Sequence, residues 1–187
     1  LLANVENNQA KLPVNPIDPQ KLRDALNALK KGDLEAAAKN QEAVASELER
    51  LAKELRKNDQ LPGDPQKAVE QLAQRQDDLR KRVAAAAQAA RNENETPDAA
   101  FKQELRKLAT EQAGVEAGLS QMKLPNRNRE QQRESIDQLA QTLEELLANK
   151  PDQASQAAEN AVEQLEELAK QIGSEAERNQ KAIRELQ

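Results

Sequence analysis

The chain has 187 residues, a single Phe, one Met and no Trp, Tyr, His or Cys. Such a supply cannot fill a sandwich, a barrel or a thick α/β core, which draw their bulk from aromatic and β-branched residues. It also excludes disulfides, thiolate or imidazole metal sites and the usual nucleophile–base pairs. The net charge of −5 divides into 16 basic against 15 acidic residues through Glu93 and 12 against 18 from Asn94, so neither half carries the basic excess that nucleic acid requires.

In chain order, residues 1–18 read as an N-terminal extension. It contains the linker "KLPVNPIDPQ", where Pro13, Pro16 and Pro19 deny the backbone a helix interior. Asp18-Pro19 then reads as an N-cap followed by a first helical residue. The device returns at Asp64-Pro65 and Thr96-Pro97, and Gly32-Asp33 closes one helix while capping the next. Further breaks at Pro125 and Pro151 leave six helices, predicted over 19–31, 34–58, 65–92, 97–122, 127–149 and 151–187. Connections this short pair successive helices as antiparallel hairpins spanning 19–58, 65–122 and 127–187. The opening "LLANVENNQ" lacks Met, and "AIRELQ" ends with the helical rhythm running, which reads as a fragment of a longer chain.

Within the helices the apolar residues alternate in steps of four and three. Helix 4 runs Phe101, Leu105, Leu108, Gln112, Val115, Leu119, Met122; helix 3 runs Val69, Leu72, Gln76, Leu79, Val83; helix 2 runs Ala37, Gln41, Val44, Leu48, Leu51, Leu55. Helix 6 continues through Ala158, Ala161, Leu165, Leu168 and Ile172. This is the 3.5-residue repeat of coiled-coil-like seams. The fold class is therefore all-α, with about six helices in long antiparallel hairpins that form an elongated bundle or a tandem row. The segment "ALNALKKGDLEAAAKNQEAVASELERLAKEL" aligns without gaps, at an offset of 117, with "TLEELLANKPDQASQAAENAVEQLEELAKQI", which reads either as an internal repeat or as the passable alignment of any two Ala/Leu/Glu/Lys hairpins.

Three of the seam positions hold an amide. About a turn at 93–96, Gln76 and Gln112 are equidistant and face each other, while Phe101 faces Ala86 and Ala87. The two amides are expected to form a buried polar pair, hydrogen-bonded side chain to side chain, that penalises shifted registers. Gln41 is a further core polar residue without a counterpart. Gly114 and Gly118 are expected to let another helix approach helix 4 closely.

No catalytic, cofactor-binding or metal-ligating residues emerge. Carboxylate pairs such as Glu144-Glu145 and Glu166-Glu167 fall on solvated faces, and Arg80, Lys81, Arg82 and the "NRNR" stretch read as solvated charge rather than phosphate contacts. No apolar run approaches the ~20 residues that span a bilayer. The hairpin phrases and the "LA-x-x-Q-x-x-L" pattern resemble segments of the large, uncharacterised, membrane-anchored helical proteins of bacterial envelopes, rich in Ala, Gln, Leu and Glu. The resemblance covers the chain from about Pro19, and the membrane-spanning segments of that group are missing here. It implies an envelope location through an anchor elsewhere and no catalytic residues. The expected function is a non-catalytic scaffolding or protein-interaction module whose partners are helices of the parent chain or of another protein. The alternative is reversible binding to a lipid surface, which the lack of Trp and Tyr disfavours.

Overall fold

A computed structural model describes residues 19–92 and 99–185. The N-terminal extension, the Thr96-Pro97 start and the last two residues lie outside these. Among the described residues the helices are α1 (Pro19–Lys30), α2 (Leu34–Asn58), α3 (Pro65–Asn92), α4 (Ala99–Gln121), α5 (Arg129–Leu147) and α6 (Pro151–Glu185), with a 3-10 turn at Asn126–Asn128 and no strand. The predicted all-α architecture is present. Two of the predicted caps are visible: Asp33 Oδ1 accepts from the Ala36 amide at 3.0 Å, and Asp64 Oδ1 from the Lys67 amide at 3.0 Å. Each satisfies an amide that the first turn leaves without an intrahelical acceptor. Helix 5 starts two residues later than predicted because Asn126–Asn128 winds as the tighter turn.

Helices α3, α4, α5 and α6 close into a ring in which each packs on the next and α6 returns to α3. The most extensive contact is between α3 and α6, not between the consecutive α3 and α4. Arg91 meets Asp152 at 2.7 Å near one end of that pair, and Gly173 lies against Gln66 near the other, so the two run antiparallel. The α1–α2 hairpin stands outside the ring. Its α2 lies along α4 in parallel, Glu47 near Arg106 at 3.7 Å, Glu54 at Gly114 and Asn58 at Gly118. The described residues thus form the expected helical bundle, with its six helices divided into two parts. These are a closed four-helix bundle and one hairpin docked on its side.

Helix α4 explains how this is possible. Every residue from Gln112 to Leu119 is buried, so this stretch has no solvent face. A helix apolar on all sides belongs between two layers. Here the second layer is α2, and the small residues make room for it. A Cβ on Gly114 would stand 2.9 Å from the Glu54 Cβ, and one on Gly118 would stand 2.9 Å from the Asn58 carboxamide oxygen and 3.0 Å from a Leu72 methyl. The close approach expected at these two glycines is therefore real, and its partner is α2.

The turns of the first and last hairpins share three backbone hydrogen bonds. Between α1 and α2, the amides of Lys31, Gly32 and Asp33 donate to the carbonyls of Asn27, Leu29 and Ala28. Between α5 and α6, the amides of Ala148, Asn149 and Lys150 donate to those of Glu144, Leu146 and Glu145. All six partners obey the offset of 117 seen in the sequence. Gly32 at φ 74° and Asn149 at φ 56° occupy the left-handed position that closes such a helix end. Asn tolerates that conformation better than other non-glycine residues, which is why the second turn survives without glycine.

Candidate functional site

The first candidate is the polar layer inside the four-helix bundle. Gln76 of α3 and Gln112 of α4 are both fully buried, as their seam positions predict. The register also agrees: Leu72 touches the Gly118 position, Arg75 the Gly114 position, and Arg82 bonds Glu111 at 2.6 Å. The expected amide-to-amide bond, however, is not made. Gln112 Nε2 donates 3.1 Å to the Leu139 carbonyl of α5. Neither amide atom of Gln76, nor Gln112 Oε1, has a hydrogen-bond partner within reach. The physical reason is the ring closure: α5 packs more extensively on α4 than α3 does, and a helical carbonyl retains a second lone pair that can accept the amide.

One turn along α4 from Gln112 lies a residue that sequence reasoning missed. Glu116 is 0 % exposed, and neither carboxylate oxygen finds a hydrogen-bond partner. Burial pushes its carboxyl up to about 7, and the charge of Glu144 pushes the same way. A signal was present in "AGVEAGL": with alanines and glycines around it, α4 has no polar face on which Glu116 could lie. A carboxyl so placed can hold a proton near neutrality. It cannot act on a substrate from within a packed core.

The third expected core amide, Gln41, is exposed on α2. The residue 117 positions on, Ala158, is fully buried within the bundle. The seam periodicity is present in both helices, and only α6 has this part of its seam covered.

Between α2, α3 and α4 lies a charged pit of about 220 Å³, lined among others by Lys57, Arg75 and Arg82 against Glu54, Asp78 and Glu111. Arg75 donates 2.9 Å to Asn58 Oδ1, and Asn58 Nδ2 donates 2.9 Å to the Gly114 carbonyl, a chain that ties α3, α2 and α4 together. Three charges of each sign give the pit no preference for an anion. The basic residues of "LRKRV" are likewise taken up: Arg80 and Lys81 pair with Asp77 at 2.8 and 2.6 Å, which holds the Asp77 carboxyl below its ordinary range, and Arg82 pairs with Glu111.

The second candidate is the outer face of α1–α2. The exposed large hydrophobic residues among those described are Leu26 at 48 %, Leu29 at 44 % and Leu34 at 71 %, all on this hairpin. Leu22 and Leu48, half-buried, carry the same apolar surface inward to the core. In the last hairpin the equivalents of Leu22, Leu26, Leu29 and Leu48 are Leu139, Leu143, Leu146 and Leu165, each fully buried in the ring.

Among the described residues, no group of three or more His, Cys, Asp or Glu side chains could hold a metal ion, and no helix is long and apolar enough to cross a membrane. Comparison with protein families, with curated proteins and with solved structures found no match.

Proposed function

We propose that this chain is a non-catalytic scaffolding module that presents the outer face of the α1–α2 hairpin to another helical hairpin. One observation carries the reading. Two hairpins with leucines at matching positions and shared turn hydrogen bonds differ in that one has its leucine face covered by two helices and the other has it partly open to solvent. Their likeness supports descent from one repeated unit, and a repeated unit is built to stack on a neighbour of its own kind. The coiled-coil spacing of the seams favours helices as the partner, since knobs of this size enter holes between four helical residues. The resemblance to helical proteins of the bacterial envelope is in keeping with a scaffolding role within a larger protein.

A lipid surface is the second reading. It is favoured by the three exposed leucines and by the exposed Arg23, Lys30 and Lys31 beside them. The row Glu35, Glu42 and Glu49, exposed on the same hairpin, opposes it at an anionic membrane. Co-sedimentation with vesicles separates the two. The scaffold reading expects the protein to stay in the supernatant with neutral and with anionic vesicles. Pelleting that disappears on replacing Leu26, Leu29 and Leu34 by Glu would replace it with the lipid reading.

A further inference from the structure

We infer that the outer face of the α1–α2 hairpin receives a second copy of the same hairpin, so that two chains form an intermolecular four-helix bundle. The inference rests on reading this face as an interaction surface and names its occupant.

The face has two halves of different size and opposite charge. On α1 the open stripe is Leu22, Leu26 and Leu29, edged by the exposed Arg23 and Lys30, one heptad apart. On α2 the exposed stripe is Leu34 beside the turn and then the smaller Ala38, Gln41 and Ala45, edged by the exposed Glu35 and Glu42, again one heptad apart. Beyond Leu34 at the turn, large residues and positive edges thus lie on one helix, small residues and negative edges on the other. Such a surface is complementary to itself.

The arrangement follows from the hairpin. Pairing two copies about a twofold axis parallel to the helices sets α1 of each copy against α2 of the other, antiparallel. Each α1 residue then stands across from the α2 residue equidistant from the turn. Arg23 meets Glu42, Lys30 meets Glu35, Leu29 lies over Ala38, and Leu22 lies near Ala45. By symmetry every contact is made twice, as a closed isologous interface requires. The other antiparallel arrangement, α1 on α1, would set Arg23 and Lys30 against themselves. Charge therefore selects one geometry. The surface is also continuous with an interface already formed, since Leu22 and Leu48 pack on the core at its inner border. Within the chain, α5–α6 shows the outcome for leucines at matching positions when other helices cover them: Leu143 and Leu146 are at 0 % exposure.

Sedimentation velocity and light scattering on the intact chain, from micromolar to millimolar concentration, test this. A monomer–dimer equilibrium is expected, with a limiting mass twice the 20.7 kDa of the chain. Leu26→Glu with Leu29→Glu should abolish the dimer while circular dichroism and melting of the monomer stay unchanged, because both side chains already meet water. Arg23→Glu with Lys30→Glu should weaken dimerisation by at least tenfold, and adding Glu35→Lys with Glu42→Lys should restore it. A monomer at every concentration overturns the proposal, as does a dimer insensitive to the leucine pair or a charge swap that is not rescued. None of these outcomes resembles vesicle pelleting, so loss of self-association and loss of the scaffold reading remain distinct results.

Discussion

The first and last hairpins carry leucines at matching positions and meet different surroundings. Both close through a left-handed residue with the same set of amide bonds, and both carry leucines on the same faces. The α5–α6 hairpin lies in the ring, with both helices facing α3 and α4. The α1–α2 hairpin instead rests mainly on the glycine-bearing side of α4 through α2. The comparison teaches that local sequence decides the hairpin, whereas the burial of its face depends on which other helices arrive. A seam is an offer of contact and does not specify its recipient.

The largest expected difference lies in matched leucines. Leu143→Ala should cost roughly 2–5 kcal/mol in urea unfolding, because it opens a cavity in a packed ring. The equivalent Leu26→Ala should change the unfolding of the monomer by less than about 0.5 kcal/mol. Equal losses would show that the two faces are covered alike in solution.

Next comes the carboxyl on α4 inside the bundle. The fold holds the proton of Glu116 more tightly than the unfolded chain does, so its contribution is fully present below the ordinary pKa of 4.5 and is lost as pH rises through about 7. Between about pH 4.5 and about pH 7 the chain should lose on the order of 3 kcal/mol of stability from this group. Glu116→Gln should flatten that slope. If the wild-type slope persists in the variant, the carboxyl is not the source.

A smaller effect is expected on the face where α1–α2 docks. Gly114→Ala drives a methyl against the Glu54 Cβ, which belongs to a helix stem and cannot swing away, and should cost about 1–3 kcal/mol. Hydrogen exchange should show the opening concentrated in α1 and α2, with α5–α6 still protected. Gln76→Leu should act in the opposite sense and raise stability by about 1 kcal/mol, since it removes two buried amide atoms that have no partner. A fall in melting temperature would mean that the amide is satisfied after all.

The smallest effect sharpens the likeness of the turns. Asn149→Gly relieves a left-handed Asn and should stabilise by a few tenths of a kcal/mol, whereas Gly32→Ala imposes strain and should destabilise by about 1 kcal/mol. Thermal melts of the two variants should therefore move in opposite directions.

Much of this architecture is legible in the sequence, because its signals are local. Proline and aspartate mark the starts of α2 and α3 to the residue, and the four-and-three rhythm places Gln76 and Gln112 in the core. What the sequence does not announce is adjacency. The wide contact of α3 with α6 joins segments far apart in the chain, and no spacing within either helix encodes it. The partner of Gln112 was missed for that reason, since Leu139 belongs to a helix outside the expected hairpin. Gln41 fails for the converse reason: its seam position is sound, but that side of its hairpin faces solvent. Glu116 escaped because it stands off the seam, and only a helix enclosed on all sides buries an off-seam carboxylate.

That enclosure of α4 has a consequence for how the chain tolerates shortening. Removing α1 and α2 would uncover Gly114 and Gly118, where α2 packs closely. A chain beginning at Pro65 should therefore form clusters at concentrations where the longer chain stays clear. The outer hairpin thus covers the glycine-bearing side of the bundle beneath it.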